Sequence, residues 1–233
     1  MPNVTGIVAP LPLEARCLAH VQFGFQKNIA LADVGWICVS GMGAANAARA
    51  AAALLHDGAR RLISWGVAGA LTAELKAGAL ILPEAVISSA GQEFAIDTAW
   101  RERLIRCLND VTIAGGRLTE SANVLSTTAD KHALHARTSA IAVDMESAAV
   151  AAAAARAGIP FLAIRAILDE VDGRVPAAAI NAVGERGNLD AVRLIRSLAA
   201  NPRQLRDLIH LARGMRAAQA TLKRVAALAR STL

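Results

Sequence analysis

The chain has no tyrosine and only seven aromatic residues among its 233: Phe23, Phe25, Phe94, Phe161, Trp36, Trp65 and Trp100. So sparse a set argues against a platform that stacks several bases in a row. Cysteine is equally scarce. Cys17, Cys38 and Cys107 are scattered and never form a C-x-x-C pair, which argues against a disulfide framework and a structural zinc site and fits a reducing cytosol. His56, His132, His135 and His210 show no metal-ligand spacing, so no metal is expected. No G-x-S-x-G elbow supports Ser-His-Asp chemistry. The chain also lacks a run of about 18 uncharged apolar residues, so no segment is expected to span a bilayer. The nearest candidate, AAVAAAAA, is short and flanked by Glu146 and Arg156. The start MPNVTGIVAPLPLEA carries no basic region ahead of a long apolar run, so no signal peptide is expected.

Hydrophobic residues make up 55% of the chain and charged residues 19%, the balance of a globular protein long enough for one large domain. The net charge of +6 is uneven. Arg193, Arg196, Arg203, Arg206, Arg213, Arg216, Lys223, Arg224 and Arg230 face only Asp190 and Asp207 in the tail, while the rest is near neutral. This tail reads either as a solvated helical face or as contact with an anionic surface, membrane or nucleic acid.

Short apolar runs alternate with helical patterns. TGIVA, GWICVS, RLISWGVAG, ALILPEAVISS, VTIAGGRL, SAIAV and FLAIRAI read as strands; PLEARCLAHV, GMGAANAARAAAALL and TAWRERLIRCL read as helical. The alternation predicts an α/β fold with a mixed, largely parallel central sheet flanked by helices on both faces. After DGRVPAAAINAVGERGN the chain turns helical, with Asn201-Pro202 separating two helices. We therefore expect an α/β domain over residues 1–190 and a basic helical extension over 191–233, packed on the same domain.

Gly41-Met42-Gly43 follows a strand, but Asn46 stands where a dinucleotide fingerprint needs its third glycine, and no acid ends the next strand. What remains is a tight turn opening a helix N-terminus, either structural or able to hold an anion. Gly66 and Gly69 end a strand and permit close backbone approach. Asp144 and Glu146 sit where a strand runs into an alanine-rich helix, and Asp169 ends the next strand. Acids at strand ends in an α/β chain are where ligands are held.

In order and spacing, Gly6-Ile7-Val8 leading to Glu14, Ser40 to Gly43 with Asn46, Gly66-Val67-Ala68-Gly69, Val143 to Glu146 and Arg165 to Asp169 resemble the purine nucleoside phosphorylase and methylthioadenosine/S-adenosylhomocysteine nucleosidase superfamily. The start, the short middle and the basic tail look most like its hopanoid-associated phosphorylase branch. The resemblance implies cleavage of the N-glycosidic bond of a purine nucleoside, with adenosylhopane as the substrate of that branch. It implies Asp169 as the acid that protonates the departing base and Glu14 as the acid that activates water. Glu146 would accept the ribose hydroxyls, Met145 would lie against the sugar, and the backbone at Val124 and Leu125 would contact the base. Gly43, Gly66, Val67, Ala68 and Arg165 complete the implied substrate-binding set, with Asp144 left as structural.

Two positions depart from the family pattern. Asn123-Val124 stand where an aromatic commonly stacks on the purine, and Leu168 replaces the Ser that usually precedes the catalytic acid. Asp169 then needs another partner, a backbone N–H or Arg174. Water and phosphate both stay open as nucleophile: Glu14 and Ser64 stand where some phosphorylases carry phosphate-binding arginines, which favours water, whereas the branch's name favours phosphate as co-substrate. No other cofactor and no nucleic-acid partner are expected. A homo-oligomer, most simply a dimer, is expected, in the cytoplasm or peripherally at the inner membrane face.

Overall fold

The computed structural model describes residues 4–109, 111–182, 184 and 190–233. The transition into the helical tail at 185–189 lies outside them.

The run RLISWGVAGA forms the longest strand, β4 (Arg61–Ala70), and the sheet is organised around it. One edge of β4 pairs in parallel with β11 (Phe161–Asp169) from Leu62 to Gly69. The other edge is shared. β1 (Thr5–Ala9) pairs in parallel with Arg61 to Ser64, and β10 (Ala142–Asp144) pairs antiparallel with Gly69 and Ala70. Residues 65–68 have no strand against that edge among the described residues. Backbone polar groups buried in such a gap need other partners, and the gap is where the candidate site forms.

Beyond β1 lie β3 (Gly35–Val39), parallel, and β2 (Asn28–Leu31), antiparallel. Beyond β10 lie β9 (Arg117–Glu120) and β6 (Ala85–Ile87), both parallel, and then β7 (Glu93–Ala95), antiparallel. The far edge of β11 takes β5 (Leu80–Ile81), antiparallel, and β5 takes β8 (Ile113–Ala114), parallel. The result is the expected mixed, mostly parallel sheet flanked by helices. The helices are α1 (Pro12–Ala15), α2 (Ala44–His56), α3 (Thr98–Cys107), α4 (Thr128–Thr138), α5 (Ser147–Ala157), α6 (Ala177–Ala182), α7 (Ala191–Ala200) and α8 (Gln204–Ala229). Alanines make the inner faces of α2 and α5, and the two helices pack on each other.

The structure departs from the sequence pattern in specific places. PLEARCLAHV is helical only to Ala15; Cys17 and Leu18 continue in tighter i→i+3 turns. VTIAGGRL is not one strand. Gly115 and Gly116 break it into β8 and β9, which pair with different partners, and Gly116 has φ +116°. The elements β2, β7 and α4 were not legible in the sequence pattern.

α8 lies along β11 and returns the C-terminus to the sheet. The Leu233 carbonyl accepts from Thr5 Oγ1 at 2.5 Å and Arg61 Nη2 at 2.6 Å, and the Thr232 carbonyl accepts from Trp100 Nε1 at 2.7 Å. β11 carries an irregularity at its end: Ile167 is opposite Ala68 and Asp169 is opposite Gly69, so Leu168 is the extra residue. Such a bulge re-aims the side chain that follows it. Gly214 of α8 packs directly on the Leu168 carbonyl, where an added Cβ would stand 2.0 Å from the oxygen. Gly214→Val should therefore push α8 off the bulge and destabilise the fold by about 2 kcal/mol or more, read as a lower urea midpoint. A midpoint matching the parent would refute this account of the packing.

Candidate active site

Four acids converge on the gap in β4. Glu14 sits at the third position of α1 and is 1% exposed. Its Oε2 accepts the Leu11 N–H at 2.7 Å, the reach-back half of a capping box. Its Oε1 accepts the Val67 N–H at 2.8 Å. The carboxyl group thus replaces the missing strand. Burial pushes Glu14 from its ordinary 4.5 up to about 7, against the opposing pull of Arg165.

Glu146 immediately precedes α5, and its Oε1 accepts the Gly43 N–H at 2.7 Å. The helix N-terminus opened by Gly41-Met42-Gly43 therefore holds a carboxyl group of the chain's own, with Gly43 as the N-cap of α2. Burial first, and the neighbouring Asp144 second, raise the Glu146 carboxyl well above the usual range. Asp144, the other member of the pair, is tied into the fold. Its Oδ2 meets Arg165 Nε at 2.8 Å and accepts from Ser147 Oγ; its Oδ1 accepts the Glu146 and Ser147 N–H groups.

Arg165 requires a correction to the substrate-binding set. Its guanidinium is fully buried and does not line the cleft. Nη2 donates to Ser64 Oγ at 2.6 Å and Ser147 Oγ at 3.0 Å, while Nε holds Asp144. Ser64, occupied in this way, is not offered to a ligand.

Asp169, re-aimed by the bulge, finds a partner that neither the backbone nor Arg174 supplies. Lys131 Nζ lies 2.6 Å from its Oδ2 and also donates to the Glu170 and Gly173 carbonyls at 2.5 and 2.9 Å. Lys131 comes from α4, whose N-cap Thr127 accepts from Asp130 N–H at 3.1 Å. The ammonium is 1% exposed. Burial raises the Asp169 carboxyl even against the pull of Lys131. A lysine in TADKHALHART carries no sequence mark of this role, because the same pattern serves a solvated helix.

The glycines of Gly66-Val67-Ala68-Gly69 make room for the acids. A Cβ at Gly66 would stand 2.6 Å from Glu14 Oε1 and 2.5 Å from Arg165 Nη1; one at Gly69 would stand 3.3 Å from both Asp169 oxygens. Gly66 therefore lies behind the cleft, while Val67 and Ala68 line it. Met145, Val124 and Leu125 line it as well, together with Met42 and Leu168. None of the lining residues is aromatic. A flat ligand would pack between aliphatic side chains and the Met42 and Met145 thioethers. Cys17 and Cys38 are buried, with their thiols pushed up to about 11, so neither supplies a thiolate.

A family model described as the phosphorylase superfamily matches residues 23–200. The chain belongs to that superfamily. Among curated proteins, sequence comparison finds no match. Among solved structures, the chain is similar to the 5′-methylthioadenosine/S-adenosylhomocysteine nucleosidase of Neisseria meningitidis in complex with methylthio-immucillin-A. The TM-score is 0.74 at 19% identity, over 99% of this chain and 100% of that chain. It is also similar to a Helicobacter pylori nucleosidase mutant with 5′-methylthioadenosine in the active site (TM-score 0.69, 16% identity, 97% and 98% covered). The futalosine hydrolase of Helicobacter pylori gives a TM-score of 0.67 at 18% identity, over 96% of this chain and 97% of that chain. At these identities the likeness establishes the fold.

Two expectations follow from the geometry. Lys131→Met strands a buried acid, so it should cost about 3 kcal/mol in urea unfolding, with part of the loss recovered in the Lys131→Met/Asp169→Leu double variant. An additive double variant would show that the two groups do not depend on each other. The second concerns pH. Glu14 binds its proton more tightly in the folded chain than in the unfolded one. Its contribution to stability is therefore full below pH 4.5 and is lost as pH rises through about 7. Glu120, Glu146 and Asp169 are shifted in the same direction. The thermal midpoint of the unliganded protein should fall across this window, and Glu14→Gln should flatten the fall. A midpoint that rises with pH would contradict the burial argument.

Proposed function

We propose that this protein hydrolyses the N-glycosidic bond of an adenine nucleoside and releases the free base. The observation that carries this reading is the convergence of Glu14, Glu146 and Asp169 on one cleft, with burial holding the Glu14 and Asp169 carboxyls above the ordinary range. As the glycosidic bond breaks, the sugar gains oxocarbenium character and the purine gains electrons. Asp169 donates its proton to the departing base, and Lys131 on Oδ2 leaves Oδ1 free to do so. Glu146, fixed by the Gly43 amide, takes the ribose hydroxyls in hydrogen bonds. Glu14, anchored by the Leu11 and Val67 amides, takes a proton from the attacking water, and a pKa near 7 suits that task at neutral pH.

The charge of the cleft supports water over phosphate. Glu14, Asp144, Glu146 and Asp169 line it, and the one cation lining it among the described residues, Lys131, is committed to Asp169. Arg165, which could have balanced a phosphate, is spent on Asp144 beneath the floor. The structural likeness to nucleosidases and a futalosine hydrolase supports the same choice. For the substrate we propose a nucleoside bearing an apolar 5′ group, with adenosylhopane, the substrate of the hopanoid-associated branch, as the first candidate and methylthioadenosine as the second.

The test is adenine release from adenosine, methylthioadenosine and adenosylhopane, each with and without phosphate. Release should be equal in both conditions, and Asp169→Asn should lower kcat by about 10³-fold while the protein stays folded. Phosphate-dependent release with a sugar 1-phosphate product would overturn hydrolysis. Thermal shifts with these nucleosides but no free base would make the protein a non-catalytic binder.

A further inference from the structure

The tail is not uniformly polar on its outer side. On α7, Val192 and Ile195 are 58% and 66% exposed, and with Ala199 they recur at the i, i+3, i+7 spacing of one helix face. On α8, Leu205 and Ile209 are exposed, and Ala212 and Arg216 continue the same face. Arginines flank both rows: Arg193 and Arg196 on α7, Arg206 and Arg213 on α8, all exposed. The inner face of α7 is already used, since α7 packs on α6.

Exposed branched aliphatics beside arginines are costly in water and mark a contact surface. The composition selects among partners. Residues 190–233 contain no Phe, Trp or Tyr, so nothing there stacks on bases. On α7 and the first turns of α8, Arg193, Arg196, Arg203, Arg206, Arg213 and Arg216 stand against only Asp190 and Asp207, which opposes like-charged copies of the same face. An anionic bilayer satisfies both halves, taking the aliphatic row at the acyl boundary and the guanidinium groups at the headgroups. No described helix is long and apolar enough to cross a membrane, so such a contact is peripheral.

The position of this surface gives it a use. A second cleft, about 640 Å³, is walled by Arg206, His210 and Arg213 of α8 and shares Leu168 and Asp169 with the catalytic cleft. We propose that α7 and the first turns of α8 dock the protein on an anionic lipid surface, placing the opening beside Asp169 near the bilayer. The docking stands on exposure and charge alone. Its use, to draw a nucleoside carried on a lipid from the membrane, rests on the function proposed above.

The experiment is co-sedimentation of the full chain with vesicles, either phosphatidylcholine alone or equal parts phosphatidylglycerol and phosphatidylcholine. The parent should bind the mixed vesicles and not the neutral ones, with binding lost at high salt. The Val192→Asp/Ile195→Asp variant should lose about tenfold in partitioning while keeping its circular dichroism and its turnover of a soluble nucleoside. Because the readout needs no turnover, failure of the nucleosidase reading leaves the test intact. Absence of binding to the mixed vesicles, or binding unchanged in the variant, overturns the proposal. So does a concentration-dependent dimer that the same variant abolishes, which would assign the face to a second copy. Preferential binding of single-stranded RNA over the mixed vesicles overturns it too.

Discussion

Arg165 is the group on which the site depends. Its guanidinium is fully buried and holds the end of β10, the start of α5 and the middle of β4 through Asp144, Ser147 and Ser64. Those three elements otherwise meet along a broken edge, where β1 has ended and β10 has barely begun. A buried ion pair contributes little net stability, because desolvation offsets attraction, but losing one partner is severe. Its value here is positional and electrostatic. It fixes the strand ends that present Glu146, and its charge opposes the burial that raises Glu14 and Glu146.

Around that cation the chain gathers more negative charge than it neutralises. Asp144 lies close enough to raise both Glu14 and Glu146, and Asp169 lines the same cleft beside Lys131. Glu14, Glu146 and Asp169 hold protons at higher pH than in water. That response brings Glu14 to about 7, where a carboxyl can give or take a proton near neutrality. The raised carboxyls share one cause, their crowding in a buried gap.

Backbone irregularity does the remaining placement. The gap in β4 leaves the Val67 N–H for Glu14, and the extra residue at Leu168 turns Asp169 toward the cleft. Gly66 and Gly69 leave the space those two carboxyls fill. The helical tail is part of this arrangement, since Gly214 seats α8 against the Leu168 carbonyl. The face proposed to meet a membrane is then joined to Asp169 by one helix.

The alternation of apolar runs with helical patterns determined the α/β class, because burial on both sheet faces demands it. Acids at strand ends likewise marked Glu146 and Asp169, because local order carries them to the same end of the sheet, whereas Glu14, inside the short helix α1, was marked only by the family resemblance. Short edge strands such as β2 and β7 escaped notice, being too brief to show a period. Lys131 escaped for a different reason: its partner is 38 residues away in sequence, and only the packing of α4 brings the two together. Arg165 sat in a motif that suggested a ligand contact, yet tertiary structure turned it inward to Asp144. Sequence by itself determined which acids the chain brings to the sheet's end, since that follows from local periodicity. Tertiary structure decided which cation answers each acid, since a buried charge is settled by whatever long-range packing places beside it.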